Sequence, residues 1–248
     1  GDENFDTVKV KENALPLLRD ELRRKTRPAF IAMGSMSDPY NPLERELELT
    51  RKALMLIEAY ECGVAVCTKS DLIARDGDLY ADIARRAPVI CKLTVTTTDE
   101  TLCAQVEPHA PSAARRLRAL ESLSAQGVFA GVVLMPVLPF LEDSVENVLA
   151  VVNAAADAGA KFVYPAFGMT LRDRQREYYY AQLDRLFPGL RRRYEGQYGD
   201  RYQCTSPRAR ELWAAFSETC RSRGLLCDMT HIIRGAKGPY DTQLTLFD

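Results

Sequence analysis

The sequence lacks an excess of charge of either sign. Thirty-three Lys and Arg stand against 34 Asp and Glu, for a formal net charge of -1, so no global field draws the chain to nucleic acid or to an anionic membrane surface. No apolar run is long enough to span a bilayer, and the opening residues carry no leader pattern of basic residues followed by an apolar stretch. Repeats and low-complexity tracts are absent. Histidine is nearly so: His109 and His231 are the only two, and neither has a partner at metal-ligand spacing, which speaks against a zinc site. Seven cysteines is an odd number. Scattered through an α/β pattern, they argue against a disulfide scaffold and for a reducing cytoplasm. Cys67 and Cys91, on expected strands, read as small buried apolar residues. At 248 residues the chain suits one sizeable core with an appendage.

What is present is alternation. Glu12 to Lys25, Leu43 to Tyr60, Asp71 to Arg86, Ser112 to Gln126 and Ser144 to Ala158 read as helices. Between them lie apolar runs at Phe30, Gly63 to Cys67, Val89 to Val95, Val128 to Val137 and Phe162 to Phe167, which read as buried strands. Gly127 and Gly159 close two of the helices with the left-handed cap. Five strands, each preceded by a helix, imply a parallel sheet with right-handed crossovers. From about Arg172 the character changes: Arg and Tyr become frequent and Leu186-Phe-Pro-Gly189 interrupts a helix. The expected organisation is an α/β part-barrel over residues 1–170, then a helical appendage and tail over 171–248.

Polar residues recur where strands end: Ser35, Ser37 and Asp38, then Lys69, then Thr94 and Thr96, then Met135-Pro136. A site assembled from many successive strand ends suits a barrel-like sheet better than an open one, whose site sits at a single switch point. Each residue also has a plainer reading. Asp38 caps the turn before Pro39, Lys69 is a solvated lysine beside Asp71, and Arg116 shares a wet helix face with Arg115 and Arg118. Thr94 and Thr96 face one side of their strand, as ordinary β-formers also would. Glu107-Pro108 is a turn, and Met135 and Pro136 pack in the core.

Ser37-Asp38, Thr68-Lys69, Thr94-Val-Thr96, Glu107-Pro108 with Arg116, and Val132-Val-Leu-Met-Pro136, in this order and spacing, resemble radical S-adenosylmethionine proteins of the spore photoproduct lyase-like group over about Phe5 to Ala166. The resemblance implies a partial (β/α)6, TIM-like barrel with a C-terminal helical appendage. It also implies a four-iron–four-sulfur cluster and S-adenosylmethionine at the carboxyl edge of the strands, and a 5′-deoxyadenosyl radical acting on a nucleic-acid or nucleotide-like substrate, as in DNA repair. The implied S-adenosylmethionine contacts are Ser35, Ser37 and Asp38 toward the ammonium group, Lys69 and Arg116 toward the carboxylate, Thr94 and Thr96 near the ribose, and Met135 and Pro136 against the adenine.

The sequence departs from that pattern twice. It has no C-x-x-x-C-x-x-C, so the cluster has no thiolate ligands here, and the first strand with its cluster loop is expected upstream of this stretch. The photoproduct lyases carry a hydrogen-donating cysteine two positions before the Ser-Asp pair, where Ser35 stands here. A hydroxyl is a far poorer hydrogen-atom donor, so a related but different radical reaction is expected. The competing expectation is a cluster-free barrel that binds a small ligand or a partner without radical chemistry.

Two further stretches stand outside the barrel. Tyr178 to Tyr180 with Arg172, Arg174 and Arg176 could stack and pair with nucleic acid; a helix with Arg on its wet side explains them as well. Gln243, Leu244, Leu246 and Phe247 resemble the short peptide by which bacterial repair and replication proteins dock on the DNA sliding clamp, a polar anchor followed by apolar residues that insert in a groove. The alternative is a tail folded onto its own barrel.

Overall fold

A computed structural model of the chain describes residues 10–26, 29–35 and 37–240. Five strands form one parallel sheet in sequential order: β1 (Phe30–Met33), β2 (Gly63–Thr68), β3 (Val89–Thr94), β4 (Ala130–Leu134) and β5 (Phe162–Pro165). The expected α/β part-barrel is therefore found. Side chains alternate across the pleat. One set, including Val64, Val66, Cys91, Leu93, Val132, Leu134 and Val163, is wholly buried against the outer helices. The other set lines the concave face.

The helices are α1 (Ala14–Arg23), α2 (Glu44–Leu47), α3 (Leu49–Ala59), α4 (Gly77–Ile83), α5 (Glu100–Val106), α6 (Ala113–Ala125), α7 (Val145–Asp157), α8 (Asp173–Leu186), α9 (Leu190–Tyr198), α10 (Ala209–Ser222) and α11 (Met229–Lys237). Their starts are chemically marked. The Ser112 and Ser144 hydroxyls accept from the N–H groups of Arg115 and Asn147, and the Asp99 carboxylate accepts from Thr101 and Leu102, each satisfying donors that a helix leaves free at its first turn. Gly127 and Gly159 hold φ of 79° just past α6 and α7, as their place in the sequence implies.

Two expected helices are each divided. The stretch from Leu43 to Tyr60 breaks at Glu48, whose φ is 49°. The Glu44 carboxylate then accepts from the N–H groups of Thr50 and Arg51 and so caps α3 from outside. The stretch from Asp71 to Arg86 opens as a 3-10 segment, Asp71–Asp76, before α4. Helix α5 and an antiparallel pair, β6 (Gly168–Thr170) with β7 (Gln203–Thr205), have no counterpart in the sequence reading; all three elements are too short to leave a periodic signal.

Beyond residue 170 the elements divide by packing. Tyr180, Leu183, Leu190, Tyr194, Tyr198 and Cys204 form a small core of α8, α9 and β7. Helix α10 instead buries Leu212, Phe216 and Cys220 in the main core. Helix α11 sets Ile232 and Ala236 against Ala65, Ile90 and Phe162, covering the lower part of the concave face. At the carboxyl ends of the strands Met135 and Pro136 open onto a cleft, while Thr94 and Thr96 are buried. Among the described residues no helix is long and apolar enough to cross a membrane.

Candidate functional site

The carboxyl rim of the sheet gathers the strand-end residues. After β1, Gly34 takes φ of 94°, and a Cβ there would stand 2.2 Å from the carbonyl oxygen of Cys67. Only glycine permits both that backbone and that approach. The loop is then tied down by Asp38. Its Oδ1 accepts from Tyr40 N at 2.9 Å and from the Thr68 hydroxyl at 2.6 Å, and its Oδ2 accepts from Lys69 N at 2.9 Å. Asp38 thus locks the end of β1 to the end of β2, combining the turn role with a cross-strand one. Ser35 and Ser37, on the same loop, are exposed.

A fully buried anchor supports this loop from behind. Asp76, 0% exposed, accepts from Tyr40 Oη at 3.0 Å, from Arg51 at 2.8 Å, and from Arg75 at 2.8 Å through both Nε and one terminal nitrogen. Arg75 also pairs with Glu44 at 2.8 Å.

The centre of the rim is an ion trio. Glu107 holds Lys69 Nζ at 2.6 Å on one oxygen and Arg116 at 2.6 Å on the other. Arg116 is not on a wet helix face. Its side chain is 1% exposed, and it also donates to the carbonyls of Pro111 at 2.8 Å and Thr94 at 3.0 Å. Lys69 is 41% exposed and points its ammonium at Glu107 alone among the described carboxylates. Burial pushes the Glu107 carboxyl up, but Lys69 and Arg116 outweigh it and hold the group below the ordinary glutamate value.

Thr94 and Thr96 are both buried on the concave side. Thr96 donates to Glu142 Oε1 at 2.7 Å, and Leu138 N donates to Glu142 Oε2 at 2.9 Å. Glu142 is 1% exposed. Burial pushes its carboxyl up to about 7 against the pull of those two hydrogen bonds, and the nearby Glu107 charge adds to the rise. Next to Thr96 along the rim, Met135 and Pro136 line an open cleft of about 740 Å³ with Phe167, Met169, Gln203 and Trp213. Met135 is 40% exposed there rather than packed in the core.

The rim therefore brings together Asp38, Lys69, Thr94, Thr96 and Arg116, with Met135 and Pro136 beside them. Glu142 was not singled out by the sequence, and Glu107 entered only with Pro108, as a turn and beside Arg116 in the resemblance, without an acidic role. Glu107 sits in the loop between α5 and α6 and Glu142 in the loop between β4 and α7, where no periodic pattern marks them, and their importance comes from partners 38 and 46 positions away in the chain (Lys69 and Thr96). Lys92 was also missed. It lies mid-strand on the concave side, in register with Cys67 and Gly131. Gln243, Leu244, Leu246 and Phe247 lie outside the described residues.

No protein-family model matches the chain. The chain is 34% identical over 197 residues to an uncharacterized protein of Mycobacterium tuberculosis, over 79% of this chain and 58% of that one. It is 34% identical over 136 residues to an uncharacterized protein of Methanocaldococcus jannaschii, over 55% of this chain and 49% of that one. The chain thus spans about 58% of the length of its mycobacterial relatives. Among solved structures it superposes on spore photoproduct lyase complexed with dinucleoside spore photoproduct with a TM-score of 0.61 at 13% identity, covering 85% of this chain and 64% of that one. A mutant of the lyase with bound AdoMet and dinucleoside spore photoproduct gives a TM-score of 0.57 at 14% identity over the same shares. At these identities the likeness speaks for the fold, which is the partial TIM-like barrel of spore photoproduct lyase.

Proposed function

We propose that this chain is the S-adenosylmethionine-holding barrel of a radical enzyme of the spore photoproduct lyase type, acting on a nucleic-acid or nucleotide-like substrate. The observation that carries the proposal is the rim itself: a half-exposed lysine in a built ion trio, exposed serine hydroxyls, two concave-face threonines and an apolar cleft, on successive strand ends of this barrel. These donors and surfaces fit the parts of S-adenosylmethionine. Lys69 pairs with its carboxylate, Ser35 and Ser37 accept from its ammonium, and Thr94 and Thr96 stand toward its ribose. Met135 and Pro136 offer an apolar floor to its adenine. Asp38 acts chiefly by fixing the loop on which the serines stand. S-adenosylmethionine held here would supply a 5′-deoxyadenosyl radical if an electron donor outside the described residues reduced its sulfonium, the C5′–S bond breaking and methionine leaving.

The residues do not fit an iron–sulfur cluster. Of the seven cysteines, Cys62, Cys91, Cys103, Cys204 and Cys220 are buried, and among the described residues no three His, Cys, Asp or Glu side chains gather to hold a metal. The nucleotide-like substrate rests on the fold likeness to a protein whose structure holds a dinucleoside.

A crystal structure soaked with S-adenosyl-L-homocysteine tests the reading. The nucleoside should lie on the carboxyl rim with its carboxylate at Lys69 and its adenine beside Met135. Density elsewhere on the molecule, or none at millimolar ligand, would favour a barrel with a different ligand.

A further inference from the structure

We infer that Glu107 is the resident anion of the rim, and that Lys69, not Arg116, is the cation it gives up to an incoming carboxylate. This rests on the S-adenosylmethionine reading and assigns a positioning role that the reading does not contain. The trio holds two cations and one anion, so it carries one positive charge in surplus.

The two cations differ in freedom. Arg116 is 1% exposed and spends its guanidinium on Glu107, Pro111 O and Thr94 O. Moving it would strand a buried charge and two buried carbonyls, which the fold resists strongly. Lys69 is 41% exposed, sits on a flexible stem and has one carboxylate partner among the described residues, the 12%-exposed Glu107, so of the two cations it is the one whose ammonium can turn to solvent without being buried unpaired. When Lys69 swings away, Glu107 is still paired with Arg116 and no charge is left alone in the interior. The arrangement thus has one fixed cation, one fixed anion and one exchangeable cation.

A free carboxylate must then compete with a tethered one whose effective concentration is in the millimolar range or above. Small acids lose that competition. A ligand anchored elsewhere on the rim by its nucleoside wins it. Glu107 therefore selects for ligands that carry both a carboxylate and an anchoring group.

The test compares wild type, Glu107→Gln and Lys69→Met in isothermal titrations with S-adenosyl-L-homocysteine and with 5′-methylthioadenosine, which lacks the amino-acid end. Removing the internal competitor should tighten S-adenosyl-L-homocysteine at least about three- to fivefold, the scale of one ion pair whose lysine end is in solvent, and leave 5′-methylthioadenosine unchanged. Lys69→Met keeps the Glu107–Arg116 pair and should abolish the difference between the two nucleosides. A Glu107→Gln protein that binds S-adenosyl-L-homocysteine as weakly as Lys69→Met does would overturn the inference. If neither nucleoside binds any of the three proteins, the S-adenosylmethionine reading fails. The exchange is then decided by NMR on proteins with 13C-methylated lysines, the Lys69 resonance being assigned from its loss in Lys69→Met. Acetate should move that resonance at lower concentration in Glu107→Gln than in wild type, and equal movement in both would refute the exchange.

Discussion

Replacing Glu142 by Gln should remove a large part of the protein's sensitivity to pH between 5 and 8. The Glu142 carboxyl is 1% exposed, and burial raises its pKa from 4.5 to about 7. The folded chain therefore holds a proton here that the unfolded chain has already released. Stability from this group is fully present below about pH 4.5 and is lost as pH rises through about 7. A rise of that size corresponds to about 3 kcal/mol in all, of which about 2.5 kcal/mol falls between pH 5 and pH 8. Gln mimics the protonated form: its carbonyl accepts from Leu138 N, and its amide donates to Thr96 Oγ1, which reverses its own hydrogen bond. Urea unfolding of both proteins at pH 5 and pH 8 measures the effect. Wild type should lose about 2.5 kcal/mol more than Glu142→Gln over that interval. Equal losses, or a wild type that gains relative to the variant, would show that Glu142 is ionised in the fold and that its two donors outweigh its burial.

Two further outcomes are expected. Asp76→Ala leaves Arg51 and Arg75 facing a buried gap where four hydrogen bonds ended. It should lower stability in urea by about 3–5 kcal/mol, whereas Tyr40→Phe, which removes one of those bonds, should cost about 1 kcal/mol. If Gln243 to Phe247 dock on a sliding clamp, a fluorescent peptide of that stretch should bind purified bacterial clamp in the micromolar range, and no binding at high micromolar concentration would remove that partner.

The strands and long helices were legible because their signals are local. Buried parallel strands read as short apolar runs, and Ser112, Ser144, Gly127 and Gly159 mark helix ends by their own chemistry. The rim was legible as a list of strand-end residues, since each of Asp38, Lys69, Thr94 and Thr96 follows or ends a run. What could not be read was which of them meet. Arg116 reads as one of three arginines on a helix; only the crossing of α6 behind β3 buries it against Thr94 O and Glu107. Glu48 reads as helix and breaks it, because the Glu44 side chain offers α3 a cap six residues ahead. The packing of α10 into the main core and of α9 into a separate one is likewise a matter of contacts between distant segments, which amphipathic spacing cannot distribute.

The most direct test of the central claim is to purify the natural protein anaerobically, supply S-adenosylmethionine and a strong reductant, and measure 5′-deoxyadenosine. 5′-Deoxyadenosine should accumulate, and Lys69→Met should raise the S-adenosylmethionine concentration needed for it. Intact S-adenosylmethionine at every concentration, from a folded protein whether or not it holds iron, would contradict it.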